Sequence, residues 1–175
     1  MTKSVIQAQL TQNYAAFCAF YKTMNEADFR YTPPEKWDIG QHLDHIKRAV
    51  TPIVLATALP KWLLRILFGK ANRVSRSFDE LVERYQGKLA AGGRASGQFI
   101  PKPISFAVKA KQIETIEKMV VKINHQLEGW SEADLDTYLL PHPILGKLTM
   151  REMMYFTVYH VEHHLHLAKN YLSNR

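Results

Sequence analysis

The sequence predicts an all-α fold, a four-helix bundle with short extra helices in its connections. Four long segments repeat apolar residues at three- and four-residue spacing, and no segment shows the alternation typical of a β-strand. There is also no internal repeat or low-complexity tract. Because 175 residues are enough to build one hydrophobic core, we expect a single domain over residues 1–175.

The composition is that of an ordinary globular protein. Hydrophobic residues make up 46% of the chain and charged residues 22%, and the formal net charge is +7. This positive balance suits nucleic acid, a membrane surface or an acidic small molecule equally. The single cysteine, Cys18, excludes an internal disulfide. Since the N-terminal stretch lacks a signal-peptide pattern and no window is long enough for a membrane span, we expect a cytoplasmic protein.

The first helix is predicted over residues 3–25, where apolar side chains recur at helical spacing between Gln, Thr and Lys. Cys18 lies beside this apolar face, so we expect a buried and inert thiol rather than a catalytic one. The connection at residues 29–36 contains two consecutive prolines and cannot continue a helix.

The second helix is predicted to begin after Asp38, which forms a capping box with Gln41. We expect Pro52 to end or kink it. The helical wheel places the buried arc on Ile39, Leu43, Ile46, Val50 and Ile53. His45 lies on the flank of that arc, and periodicity does not single it out over His42.

Two interpretations remain open for residues 60–76, PKWLLRILFGKANRVSR, where bulky apolar and basic side chains mix. The segment is either a short helix whose apolar side closes one end of the domain, or a basic amphipathic element that rests on a membrane or covers an acidic ligand. Five cations of this insert and the following loop would suit an anionic thiol or substrate near a site entrance, and solvated surface charge explains them equally well: Arg65, Lys70, Arg73, Arg76 and Arg94.

The middle of the chain shows weaker patterns. A capping box predicts a short helix over residues 77–89. Residues 90–103 concentrate Gly, Ser and Pro, so we expect the most mobile loop of the protein there, and its glycine spacing matches no phosphate-binding pattern. A third long helix is predicted over residues 104–129, followed by a short turn.

The last helix has the strongest functional signal. Thr149 and Glu152 form the capping box that begins it. Its apolar stripe holds Met153, Phe156, His160, His164, Leu167 and Tyr171, opposite Arg151, Glu162 and Lys169. Two histidines four residues apart therefore stack on a face that should be apolar, which suits chelation of one metal ion. Hydrogen-bonded core histidines are the alternative.

Two zinc-protease motifs do not fit this helix. The H-E-x-x-H motif requires glutamate after the first histidine, where Val161 stands, and the inverted H-x-x-E-H motif fails by one residue. Glu162 also faces away from the histidine pair on the wheel, which makes it a poor general base.

Several motifs together resemble one known family. The pattern Trp37-x3-Gln41-x3-His45, and HPILGKLTMREMM leading into HVEHH, are similar to the DinB-like superfamily of four-helix bundles, to which metalloenzyme activity is attributed. The resemblance spans nearly the whole chain. It implies a metal set of His45, His160 and His164, and so selects His45 where the helical wheel did not. Relatives often carry an acid at the position of Gln41, so the resemblance supports no general-base role for this neutral residue.

Three imidazole ligands have direct chemical consequences. Neutral imidazole suits zinc, nickel, cobalt, copper and iron(II), and three neutral ligands leave a divalent ion its full charge. Zinc or nickel is the expected ion, with iron, cobalt and manganese as alternatives. Because a structural zinc site is closed by a fourth protein ligand, three ligands leave the open position of a catalytic site. Water there would have a lowered pKa, and a thiol would bind as thiolate.

Members of the superfamily that the chain resembles include transferases that use low-molecular-weight thiols. The resemblance therefore implies a metal-dependent enzyme that activates such a thiol for S-transfer, or water for hydrolysis, and acts on a small-molecule substrate. His163, His42 and His142 are candidate acid/base groups or groups that orient the ligands, and hydrogen-bonded structural histidines are the alternative reading.

Other functions stay open at this point. A non-catalytic, stress-associated protein could hold a metal or ligand without turnover. Nucleic-acid binding through the basic insert is a third hypothesis, and the absence of a recognised DNA- or RNA-binding motif argues against it. A homodimer paired through a helical face is compatible with the sequence, which does not fix the oligomeric state.

Overall fold

The fold is predominantly helical, as predicted. The computed structural model describes all residues, 1–175, and shows eight α-helices and one hairpin. Short 3-10 turns at Gly97–Phe99 and Phe106–Val108 lie between the fifth and sixth helices. In chain order the elements are α1 (Lys3–Lys22), α2 (Glu26–Phe29), α3 (Ile39–Ala58), α4 (Lys61–Phe68), α5 (Phe78–Ala90), α6 (Lys109–Glu128), α7 (Glu132–Thr137), β1 (Leu139–His142), β2 (Gly146–Thr149) and α8 (Met150–Ser173).

The four long helices form a closed ring around the core, which confirms the predicted bundle. α1 packs against α6 and α8, and α3 packs against the same two helices. The predicted apolar arc of α3 is buried throughout. Cys18 of α1 is buried as expected, and burial raises the pKa of its thiol to about 12. A thiol that stays protonated at neutral pH is unreactive.

Three boundaries differ from the prediction. α3 continues through Pro52, because core packing on both sides of the proline outweighs one missing backbone hydrogen bond. α6 begins at Lys109, since the residues just before it form the 3-10 turn. α1 ends at Lys22, and Asn25 instead caps α2 by accepting a hydrogen bond from the amide of Asp28 at 2.9 Å.

A β-hairpin that the sequence did not indicate precedes α8. Its strands pair antiparallel, with Leu139 opposite Thr149 and His142 opposite Gly146. Each strand has only four residues, too few for alternation to be recognised. Gly146 closes the turn with a φ of 77°, a conformation that favours glycine. The hairpin packs on α8 and places the ring of His142 4.3 Å from that of Phe156.

A buried carboxylate fixes the start of α8. Thr149 and Glu152 form the predicted capping box. Glu152 is fully buried and also accepts two hydrogen bonds from the guanidinium of Arg73, at 2.6 and 2.7 Å, and one from the amide of Arg76 at 2.8 Å. Because the buried charge is fully paired, it ties the insert after α4 to the first turn of α8.

Arg151 corrects the predicted wheel of α8. We expected it on the solvated side of the helix, but it is buried. Its guanidinium donates to Asp136 at 2.6 Å and to Glu132 at 2.8 Å. Both carboxylates belong to α7, which covers the first turn of α8, so the polar face is paired there, whereas Lys169 near the other end is exposed.

α4 turns sharply away from α3, with a bend of 117° between the two helices. Leu64 is the only fully buried residue of α4. Closing one end of the domain therefore explains Leu64 but not the remaining apolar side chains of this helix. No helix of the chain is by itself long and apolar enough to cross a membrane, and α3 and α4 reach that length and composition only together.

Gly40 allows a close approach at the start of α3. A Cβ atom added there would lie 2.6 Å from Cε1 and 2.7 Å from Cζ of Phe29. The ring of Phe29 is buried and packs edge-on against Tyr21 and Phe106, so it has no space to move away. α3 can lie this close to α2 only with glycine at this position.

We expect Gly40→Ala to lower the free energy of unfolding by about 1–3 kcal/mol, because the methyl group overpacks the contact with Phe29. Gly87→Ala in α5 is the matched control, since a Cβ there meets nothing within 4 Å. It should raise the free energy of unfolding by about 0.5–1 kcal/mol through reduced backbone entropy. Urea unfolding followed by circular dichroism measures both. Equal effects of the two substitutions would contradict the packing argument.

Candidate metal centre

Three histidines from two helices meet in the core. His45 lies on α3, and His160 and His164 lie one turn apart on α8. The Nε2 atom of His160 is 3.2 Å from Nε2 of His45 and 3.1 Å from Nε2 of His164. All three residues are buried, and one ring nitrogen of each lies within 4.8 Å of the others. The structure therefore brings together the three residues that the family resemblance selected.

The main chain fixes the tautomer of His45. Its Nδ1 atom lies 2.7 Å from the carbonyl oxygen of Phe99. Because a carbonyl oxygen only accepts, Nδ1 carries the proton and donates it. The Nε2 atom of the neutral ring is left with its lone pair, on the side of His160. A ring nitrogen that donates to a backbone carbonyl is a common support for a metal-binding histidine.

A contact with His42 constrains which ring nitrogen of His164 carries the proton. Their Nδ1 atoms are 2.8 Å apart, so one donates and the other accepts. If His164 donates, its Nε2 offers a lone pair to the cluster and His42 carries its own proton on Nε2. The Nε2 atom of His42 is buried and has no hydrogen-bond partner. His42 thus stands where an orienting carboxylate or carbonyl commonly supports a metal-binding imidazole.

Burial keeps the cluster uncharged. It lowers the pKa of His45, and lowers the pKa values of His160 and His164 well below the usual histidine range, where the neighbouring imidazoles add to the effect. Nε2 of His160 can form a hydrogen bond with only one of its two neighbours, so hydrogen bonding cannot satisfy all three buried nitrogens. A divalent cation can bind all three, so the donor set fits a metal ion held by neutral nitrogen ligands.

The loop between α5 and α6 closes over this cluster. Besides the carbonyl of Phe99, the carbonyl of Gln98 accepts a hydrogen bond from Arg48 at 3.2 Å, and the amide of Lys102 donates to Asp44 at 2.8 Å. Asp44 is buried and also accepts from Arg48 at 2.5 Å. The loop that composition marks as mobile is thus tied to α3 through three backbone groups.

A cavity of about 990 Å³ lies beside the histidine cluster. His45, His160 and His164 form part of its wall. Most of the remaining lining is apolar and comes from α3, α5, the hairpin and α8, including Ile53, Leu59, Phe68, Leu89, Ile144 and Met153. A large apolar cavity with polar groups gathered at one place is typical of a small-molecule site.

Comparison with protein families settles the classification. The family model described as the DinB superfamily matches residues 9–168. The chain belongs to the DinB superfamily. The matched range contains His45, His160 and His164, together with nearly all of the four long helices. No curated protein matches the chain, so the reaction of this DinB-superfamily member has to be inferred from its site.

Two further predicted histidines of this DinB-superfamily protein, His142 and His163, line the cavity. Nδ1 of His142 accepts hydrogen bonds from the amides of Ile144 and Leu145 at 3.2 and 3.1 Å, so its proton resides on Nε2. Burial lowers the pKa of His142 to about 4. His163 lies with its ring centroid 6.1 Å from that of Tyr85, and burial lowers its pKa as well.

Of the five cations for which the sequence left a place at the site entrance or on the solvated surface open, one lines the cavity. Arg94 lines the cavity, but its guanidinium donates to the carbonyls of Leu89 and Gly93. Lys36 also lines the cavity, and sequence reasoning did not single it out. The four cations that do not line it are Arg65, Lys70, Arg73 and Arg76, of which the last two bind Glu152 instead.

Aromatic rings hold the cluster from the sides, a contribution that sequence reasoning missed. Trp37 stacks on His164 with the planes 10° apart, and its ring centroid is 5.0 Å from that of His45. Phe156 stacks on His160 at 4.6 Å. Trp37 belongs to the motif Trp37-x3-Gln41-x3-His45, and this motif is the one sequence signal that could have identified its role beside the cluster.

We expect the protein, purified without a histidine tag, to bind about one divalent ion per chain. His45→Ala, His160→Ala and His164→Ala should each abolish most of this binding, because two neutral nitrogens cannot hold the ion as three do. His166→Ala is the control, since His166 is an exposed neighbour on α8. Elemental analysis after dialysis measures the ratio. Unchanged metal content in the three variants would contradict the assignment.

The metal-free protein should lose stability as the pH falls below 6.5, the ordinary histidine pKa. Burial lowers the pKa of folded His42 to about 3 and of His142 to about 4, so the unfolded chain binds more protons over this interval. Urea unfolding at a series of pH values after chelation measures the effect.

His142→Asn isolates the contribution of one histidine to this pH dependence of stability. Asparagine keeps an acceptor near the position of Nδ1 but does not titrate. The free energy of unfolding of the variant should therefore fall less steeply between pH 6.5 and 4 than that of the unsubstituted protein. A profile superimposable on that of the unsubstituted protein would show that folded His142 does not resist protonation.

Proposed function

We propose that this DinB-superfamily protein is a metal-dependent enzyme that activates a small thiol for S-transfer, or water for hydrolysis. The observation that supports it is the convergence of three neutral imidazoles at the wall of a cavity of about 990 Å³. His45, His160 and His164 are the proposed ligands. Zinc or nickel is the preferred ion, with iron, cobalt and manganese as alternatives.

Three protein ligands suit reaction rather than structural support. A structural zinc site has four protein ligands, and no cysteine, aspartate or glutamate joins this group of three histidines. When a divalent ion is bound, its charge lowers the pKa of a coordinated thiol or water and so provides a nucleophile at neutral pH. Cys18 cannot supply that thiol, because it is buried within the bundle. The thiol therefore comes from a small molecule.

The cavity wall supports a substrate with an apolar part. Phe156 stacks on His160, and the apolar lining also includes Met153, Ile53, Leu59 and Phe68. These side chains hold no charge and exclude water, which strengthens every electrostatic interaction at the cluster. The volume accommodates a drug-sized molecule, larger than a bare thiol alone.

Two wall histidines are the proposed proton-handling groups. His142 presents an Nε2–H whose position is fixed by the two amides that bind its Nδ1, so it can donate a hydrogen bond to a polarised oxygen or leaving group of the substrate. His163 is neutral through its lowered pKa and lines the same cavity, so it can accept the proton released by a thiol or water. His42 instead positions His164.

Conjugation of an electrophile with a panel of low-molecular-weight thiols tests the proposal. We expect thiol-dependent turnover with the metal-loaded protein and none with His160→Ala. His142→Asn should keep its metal and lose about 10²-fold or more in kcat, because it removes the Nε2–H donor while keeping an acceptor for the amides of Ile144 and Leu145. His166→Ala again serves as control.

Cobalt-substituted protein distinguishes the two nucleophiles. A thiol that enters the coordination sphere produces a sulfur-to-cobalt charge-transfer band, whereas hydrolysis proceeds without one. Metal retention with neither conjugation nor hydrolysis, together with a small molecule that co-purifies from cell extract, would contradict the enzyme and favour a non-catalytic binding protein.

A further inference from the structure

α4 presents apolar side chains to solvent. Trp62 is 64% exposed, Ile66 71% and Leu67 54%. Trp62 and Ile66 lie one turn apart and opposite the buried Leu64, so they share the outer face of the helix. Scattered single apolar residues are normal on a surface, but three in six residues of one helix form a patch.

The chain around α4 is uniformly basic. Residues 45–78 contain seven lysines and arginines and no aspartate or glutamate. Four of these cations pair with carboxylates outside the segment: Arg48, Lys61, Arg73 and Arg76. Arg65 and Lys70 are exposed and form no ion pair, and Arg65 lies next to Ile66 on the outer side of the helix. The apolar patch is therefore flanked by free positive charge.

We propose that α4 docks the protein on an anionic lipid surface. A short helix with bulky apolar residues on its outer face and basic residues beside them is the pattern of an interfacial element that lies in the headgroup region. Each lysine or arginine near such a surface adds to the attraction. The inference is independent of the metal centre.

The charges disfavour a second copy of the chain as the occupant. A two-fold interface through α4 would bring the same basic segment against itself. With no acidic residue between Asp44 and Asp79, Arg65 and Lys70 would face like charges there. An anionic surface complements the apolar patch and the charge together.

Docking through α4 would also bring the cavity close to the lipid. Leu55, which is 63% exposed at the end of α3, and Phe68 of α4 both line the cavity. An apolar wall thus continues from the proposed docking surface toward the histidine cluster.

Co-sedimentation of the full-length protein with vesicles tests the proposal. We expect binding to mixed phosphatidylcholine and phosphatidylglycerol vesicles, weaker binding to phosphatidylcholine alone, and a decrease with added salt. Ile66→Glu should weaken binding by at least about tenfold, because it replaces a buried apolar contact with a charge. Val121→Glu is the matched control, since Val121 is similarly exposed, at 70%, but lies on α6 rather than α4.

A second pair of variants tests the charge. Arg65→Glu should weaken binding to the anionic vesicles by several-fold, whereas Lys122→Glu, an equal change of net charge on the exposed side of α6, should not. Circular dichroism checks that all four variants remain folded, which we expect because the four positions are exposed.

Four outcomes would overturn the proposal. The first is no sedimentation with either vesicle. The second is equal loss of binding in Ile66→Glu and Val121→Glu. The third is a dimer in solution that Ile66→Glu dissociates, which would assign the surface to a second copy. The fourth is duplex DNA binding that depends on Arg65 but not on Ile66, which would assign it to nucleic acid.

Discussion

Three imidazole nitrogens that face one another inside an apolar bundle are the feature on which the rest of the structure depends. Lone pairs in such a place repel and have no water to bind, so their burial is costly unless something positive lies between them. A single shared proton could serve only one of the two short contacts that Nε2 of His160 makes. One divalent cation could serve all three rings, and this requirement is the reason for proposing a metal centre rather than a set of core histidines.

The surrounding fold is arranged to hold those rings in place. Capping boxes begin both helices that carry them, so α3 and α8 start at defined residues. The buried carboxylate of Glu152 secures the first turn of α8, and that of Asp44 secures the loop whose carbonyl orients His45. These two buried carboxylates are paired with cations or backbone amides, while the three imidazoles themselves are neutral. Neutral ligands suit a cation whose field they do not cancel.

Much of the fold could be predicted from the sequence, because helical spacing and capping residues are local signals. The four long helices, the start of α8 and the buried Cys18 all follow from them. The hairpin could not be predicted, since four-residue strands carry no readable period. For the candidate site, spacing indicated His160 and His164, while His45 rested on the family resemblance. The hydrogen bond from His45 to the carbonyl of Phe99 could not be predicted, because a backbone acceptor 54 residues away is not reflected in the pattern of side chains.

Anomalous diffraction at a metal absorption edge, from crystals grown with zinc or nickel, tests the central claim most directly. We predict one peak per chain, about 2.0–2.1 Å from the Nε2 atoms of His45, His160 and His164, with Nδ1 of His45 still donating to the backbone. A peak bound through other residues, or three rings in hydrogen-bonded contact with no ion between them at saturating metal, would contradict it.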